Sequence, residues 1–165
     1  MLVITDSCLT WEQLKLDTVN IKVNLSIITH DAVSEHPFVN ISLNGFPQFG
    51  EICERDTVVE IDAEIEDDTT NFLTIEYYNK DPNTDVVLID AGPPIADKRV
   101  EITSISFDDI ELDFFQFDEQ DTFKYEPIDP DGVSATGFQA TKLSWNGKTT
   151  LRFTTPIYIW LLENL

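Results

Sequence analysis

The stretch Val59-Glu60-Ile61-Asp62-Ala63-Glu64-Ile65 places an apolar side chain at every odd position and a carboxylate at every even one. A side-chain period of two belongs to an extended strand with one face in a core and the other in water. Outward from this stretch the alternation returns. Ile21, Val23, Leu25 and Ile27 interleave with Lys22, Asn24 and Ser26, and Val39, Ile41 and Leu43 with Asn40, Ser42 and Asn44. Leu73, Ile75 and Tyr77 interleave with Thr74 and Glu76. Val100 and Ile102 open another strand, but the phase slips at Ile105 and Phe107, and a bulge near Thr103-Ser104 restores the facing. Ile110, Leu112 and Phe114 carry the pattern on between acidic neighbours. One-sided alternation of this kind predicts antiparallel sheets.

The punctuation agrees. Asn44-Gly45 ends one strand, and Phe46-Pro47-Gln48-Phe49-Gly50 reads as the turn that follows. Asp67-Asp68-Thr69-Thr70 is the next turn, and a loop is expected from Asn79 to about Asp97. Residues 118–137 read as irregular. Asn146-Gly147 is expected to join Leu143-Ser144-Trp145 to Leu151-Arg152-Phe153 as a hairpin. Beyond Pro156, Ile157-Tyr158-Ile159-Trp160-Leu161-Leu162 reads as a final buried or interface strand. The fold class is therefore all-β, a jelly-roll-type antiparallel β-sandwich over residues 19–165. Residues 1–18 form a short N-terminal arm, in which Ser7 or Thr10 caps a helical turn and Leu9, Trp11, Leu14 and Leu16 offer apolar contact.

Ten basic residues stand against 31 acidic ones, a net charge of -21, yet 42% of the 165 residues are hydrophobic, too many for a disordered acidic tail. Such a surface repels nucleic acid and anionic membranes and leaves cations, basic protein surfaces and neutral polysaccharides as partners. The stretch Val100–Asp131 holds eleven carboxylates against Lys124, and reads either as a solvated face or as a site for a cation or basic partner. No apolar run nears the roughly 20 residues of a membrane span. Met1-Leu2-Val3-Ile4-Thr5-Asp6 lacks a basic n-region, so no signal peptide is expected. Cys8 and Cys53, the latter flanked by carboxylates, are expected as free thiols in a reducing compartment.

Little in the chain points to catalysis. His30, Asp31, Ser34 and His36 are close in sequence, but a triad needs converging elements. With 31 carboxylates some pair meets any glycosidase separation by chance, so a glycoside hydrolase stays only as an alternative. The cysteines and histidines lack the spacing of a zinc site. Asp81, Asn83 and Asp85 at alternate positions open like a calcium loop, but Val86 stands where the turn glycine of an EF-hand belongs. A looser oxygen cage of Asp81, Asn83, Asp85, Asp90 and Asp97, or a second of Asp121, Asp129 and Asp131, suits calcium; ordinary turn chemistry accounts for the same residues. Tyr77-Tyr78 puts one ring on each face of a strand, which makes Tyr78 a candidate for stacking on a sugar ring.

The segment Asn71-Phe72-Leu73-Thr74-Ile75-Glu76-Tyr77-Tyr78-Asn79-Lys80, the Asp81–Asp85 loop, and Asp97-Lys98-Arg99-Val100-Glu101-Ile102 through Phe107-Asp108 resemble calcium-dependent xylan-binding β-sandwich modules. That resemblance implies a cation and sugar hydroxyls held in the loop, with Asp81, Asp85 and Asp97 as ligands. In overall style the chain also resembles small virion proteins of tailed bacteriophages, such as head decoration or tail components. This implies a non-enzymatic accessory role in a larger assembly, put together in the host cytoplasm, with Trp11, Leu14, Trp160 and Leu162 against neighbouring protein subunits. The alternatives are a calcium-dependent glycan-binding module and a glycoside hydrolase.

Overall fold

A computed structural model describes residues 16–29, 35–81, 83–87, 96–113, 122–128 and 139–164. The described chain forms strands β1 (Leu16–Ile28), β2 (Phe38–Leu43), β3 (Phe46–Ile52), β4 (Thr57–Glu66), β5 (Thr70–Tyr78), β6 (Val86–Val87) and β7 (Ala96–Asp97). It continues as β8 (Arg99–Phe107), β9 (Ile110–Glu111), β10 (Phe123–Pro127), β11 (Lys142–Leu143), β12 (Gly147–Thr154) and a closing helix α1 (Ile157–Asn164). One antiparallel sheet runs β11-β8-β1-β4, with β9 also on β8. The other runs β10-β12-β5-β2-β3, and β6-β7 is a separate small ribbon. The architecture is all-β and sandwich-like, as the alternation predicts.

The alternating residues build the core. Val19, Ile21, Val23 and Leu25 of β1 are buried, as are Val59, Ile61 and Ile65 of β4 and Leu73, Ile75 and Tyr77 of β5. These join Val39, Ile41, Ile105, Phe107, Leu151 and Phe153 in one hydrophobic cluster. The bulge expected near Thr103 is present. Asn24 pairs with Ser104 and Leu25 with Ile102, so Thr103 is the extra residue and Ile105 returns to the core. Strand β1 begins at Leu16, so the last three residues of the expected arm are strand, paired to β4 from Glu66. Trp11 and Leu14 lie outside the described residues, as do His30, Asp31, Ser34, Asp90, Asp121, Asp129 and Asp131.

Three local expectations are corrected. Phe46–Gly50 is strand, not turn: Asn44 and Gly45 alone make the reversal, with φ of 52° and 80°, the geometry of a two-residue hairpin. Pro47 and Gly50 are tolerated because β3 is an edge strand. Asn146-Gly147 makes no hairpin: β11 belongs to one sheet and β12 to the other, so the turn crosses between layers. Glycine is needed there for clearance, since a Cβ on Gly147 would lie 2.5 Å from the Glu126 carbonyl oxygen. The terminal apolar run is helix α1, not a strand. Short apolar runs carry no period to separate the two states, and docking decides: Ile157, Trp160 and Leu161, spaced i, i+3 and i+4, are buried.

Candidate functional site

The loop expected to hold a cation follows β5 and returns through β7. Its carboxylates meet two lysines of the same chain. Asp85 Oδ2 lies 2.8 Å from Lys98 Nζ, and both side chains are shut away from solvent. Asp85 Oδ2 also accepts the Asp81 amide at 2.8 Å, and its carbonyl accepts the Lys98 amide at 3.0 Å. The Lys98 ammonium donates in addition to the Asn79 carbonyl at 2.6 Å, and the Tyr77 hydroxyl donates to the Lys98 carbonyl at 3.2 Å. Lys80 pairs with Asp97 and with the Ser144 carbonyl, its ammonium 5.1 Å from the centre of the Trp145 ring. Asn146 holds the Lys80 backbone at both ends, accepting its amide at 2.8 Å and donating to its carbonyl at 2.9 Å.

Burial and charge act against each other here. Burial alone raises the Asp85 carboxyl, but the hydrogen bonds from Lys98 and the Asp81 amide outweigh it and hold the group below its ordinary value. Burial lowers the Lys80 ammonium, and the Asp97 hydrogen bond restores only part of the loss. Burial also pushes the Tyr77 hydroxyl far up, with Asp85 and Asp97 adding to it.

Of the four residues predicted as metal ligands, Asp85 and Asp97 are engaged by ammonium groups. Asp81 Oδ1 turns onto the amide and side chain of Asn83, at 2.9 and 3.1 Å. Among the described residues no group of three or more His, Cys, Asp and Glu side chains converges to hold a metal ion. In the described part of the loop the cationic partners of Asp85 and Asp97 are lysines of the same chain. Lys80 and Lys98 were the residues missed by sequence reasoning: each stands next to an acid in the sequence, but the partner it takes, Asp97 for Lys80 and Asp85 for Lys98, is set by the fold.

The second candidate is the end of the molecule closed by α1. Trp160, expected to meet a partner, is 6% exposed and packs edge-on against Phe107 and Phe153, with ring centres 5.9 and 6.1 Å away. Its outward neighbours are bare: Leu162 is 82% exposed, Tyr158 56% and Ile159 54%. Thr155 ties the start of the helix to the β4–β5 turn, its hydroxyl donating to the Glu66 carbonyl at 2.7 Å. Tyr158 donates to Asp108 Oδ2 at 3.1 Å, and that carboxylate holds the phenol above its ordinary value. Leu16, 50% exposed, pairs with Glu66 at the same end.

Tyr78 is 38% exposed at the end of β5, its ring 6.3 Å from that of Phe38. Ile52 sits opposite Phe38 on β3. Next along the register, Asn40 donates to Glu76 Oε2 at 2.6 Å, and Lys148 stands opposite Glu76. No protein-family model, no curated protein and no solved structure matches the chain.

Proposed function

We propose that this chain is a non-enzymatic structural protein that acts by association with another protein, an accessory subunit of a tailed-phage virion such as a head decoration or tail component. The observation that carries this reading is helix α1. A surface helix ordinarily turns polar residues to water opposite its buried stripe. Here Ile157 to Leu162 are apolar without a break, so while Trp160 and Leu161 fill the core, Tyr158, Ile159 and Leu162 stand in solvent. A jelly-roll-type winding of the two sheets is the finer fold reading, supported by a chain that repeatedly changes sheet between successive strands. The net charge of -21 disfavours nucleic acid and anionic membranes as partners. Immunogold microscopy on virions from the culture that carries the gene tests this. Label at regular positions on head or tail is expected; absence of the chain from purified particles overturns the reading.

A glycan-binding role is the second reading, favoured by Tyr78 beside Phe38 and Ile52 with the polar row of Asn40, Glu76 and Lys148 adjoining. Titration with xylan-type oligosaccharides, with and without calcium, separates it. Binding lost in Tyr78→Ala supports it, and no heat with any oligosaccharide removes it.

A further inference from the structure

We infer that the α1 end is a docking surface for a basic protein, one whose contact has an apolar centre ringed by lysine and arginine. This rests on the reading of the chain as an association module and names the chemistry of the partner. The apolar centre is Tyr158, Ile159 and Leu162, with exposed Leu16 at the same end, paired to the Glu66 whose carbonyl Thr155 holds. The rim is set by the elements that meet there. Leu16 pairs with Glu66, the Asp108 amide donates to the Asn20 carbonyl, Thr155 holds the β4–β5 turn, and Tyr158 reaches Asp108. The segments that converge are residues 16–20, 64–70, 107–109 and 154–164. Together they carry eight carboxylates and no lysine, arginine or histidine.

That asymmetry selects the occupant. An interface centre is apolar, and its polar rim steers the encounter and rejects the wrong partner. A second copy of this chain would bring the same eight carboxylates against these, inside a molecule already at -21, and like charges set face to face oppose that pairing. A basic rim instead meets opposite charge all around the apolar contact.

The test uses the full chain and two synthetic helical peptides of about 18 residues, with leucines at the i, i+3, i+4, i+7 spacing that fits a groove or helix face. One carries lysine at every other position; in its twin each lysine is glutamate. Affinities are measured for wild type, for the double variant I159S with L162S, and for Phe46→Ser, which removes an exposed aromatic on the β3 edge instead. The lysine peptide is expected to bind at least about tenfold more tightly than its twin, and to weaken as salt rises. Binding should drop about tenfold or more in the α1 double variant and not in Phe46→Ser, with thermal unfolding showing that all three proteins fold. Equal affinity for the two peptides, or equal loss in Phe46→Ser, overturns the inference. So does a homodimer in sedimentation equilibrium that I159S with L162S dissociates. Virions that label for the chain while the peptides bind equally would remove the basic-partner inference alone; discriminating peptides with unlabelled virions would remove the virion reading alone.

Discussion

Lys98 and Asp85 form a pair that neither residue can leave cheaply. Removing one partner strands a charge in the interior, at a cost of about 3–5 kcal/mol, whereas replacing both with apolar groups of similar size is often neutral. Asp85→Asn is therefore expected to lower the unfolding free energy by about that amount, and the double change D85L with K98M to recover most of it, read by urea denaturation. Acid follows the same bond. The Asp85 carboxyl is held below 3.8 in the folded chain, so its contribution is fully present above that pH and is lost as pH falls through the lowered folded value. The stability gap between wild type and Asp85→Asn should close across that window; a gap that stays constant down to full acid unfolding would contradict the pairing. Lys80 works the other way round. Its folded value lies below 10.5, so the unfolded chain binds that proton more tightly, and the group's penalty fades as pH rises toward 10.5.

At the scale of the element, α1 divides into residues that hold it and residues that do not. Trp160→Ala should cost about 3–5 kcal/mol, because it opens a cavity against Phe107 and Phe153. Leu162→Ser, at 82% exposure, should stay within about 0.5 kcal/mol. Thermal unfolding of the two variants checks the division, and similar losses in both would mean that Leu162 is covered. The helix also marks the limit of what the sequence made legible. Strands with one wet face announce themselves, since Val59 to Ile65 alternate whatever they pack on, and the slipped phase at Ile105 revealed the Thr103 bulge. Ile157 to Leu162 has no period, so only the seat between Phe107 and Phe153 makes it helical. Phe46–Ile52 failed for a related reason: Pro47 and Gly50 read as breakers until the strand is known to lie at an edge. Between Asp81 and Asp97 the acids were legible and their partners were not. Carboxylate spacing draws attention to the acids, and nothing local says that Lys80 and Lys98 fold back to neutralise them.

For the whole molecule the governing quantity is 31 acidic residues against ten basic ones. Self-repulsion on that scale destabilises a compact state and is screened by salt, whose Debye length shrinks from about 30 Å at 0.01 M to about 8 Å at 0.15 M. The melting temperature should therefore rise across that range of sodium chloride, while the paired interior lysines, out of reach of mobile ions, gain little. A melting temperature that falls with salt would mean that surface ion pairs such as Lys22 with Glu60 and Lys148 with Glu126 outweigh the repulsion. The two enclosed ammonium groups also have a consequence for amine chemistry. A reagent that acylates free amines meets Lys22, Lys124, Lys142 and Lys148 at the surface but finds Lys80 and Lys98 occupied and walled in. Acyl groups arriving on those two positions, counted by mass spectrometry, would time each local opening around the two ion pairs while the rest of the molecule stays folded.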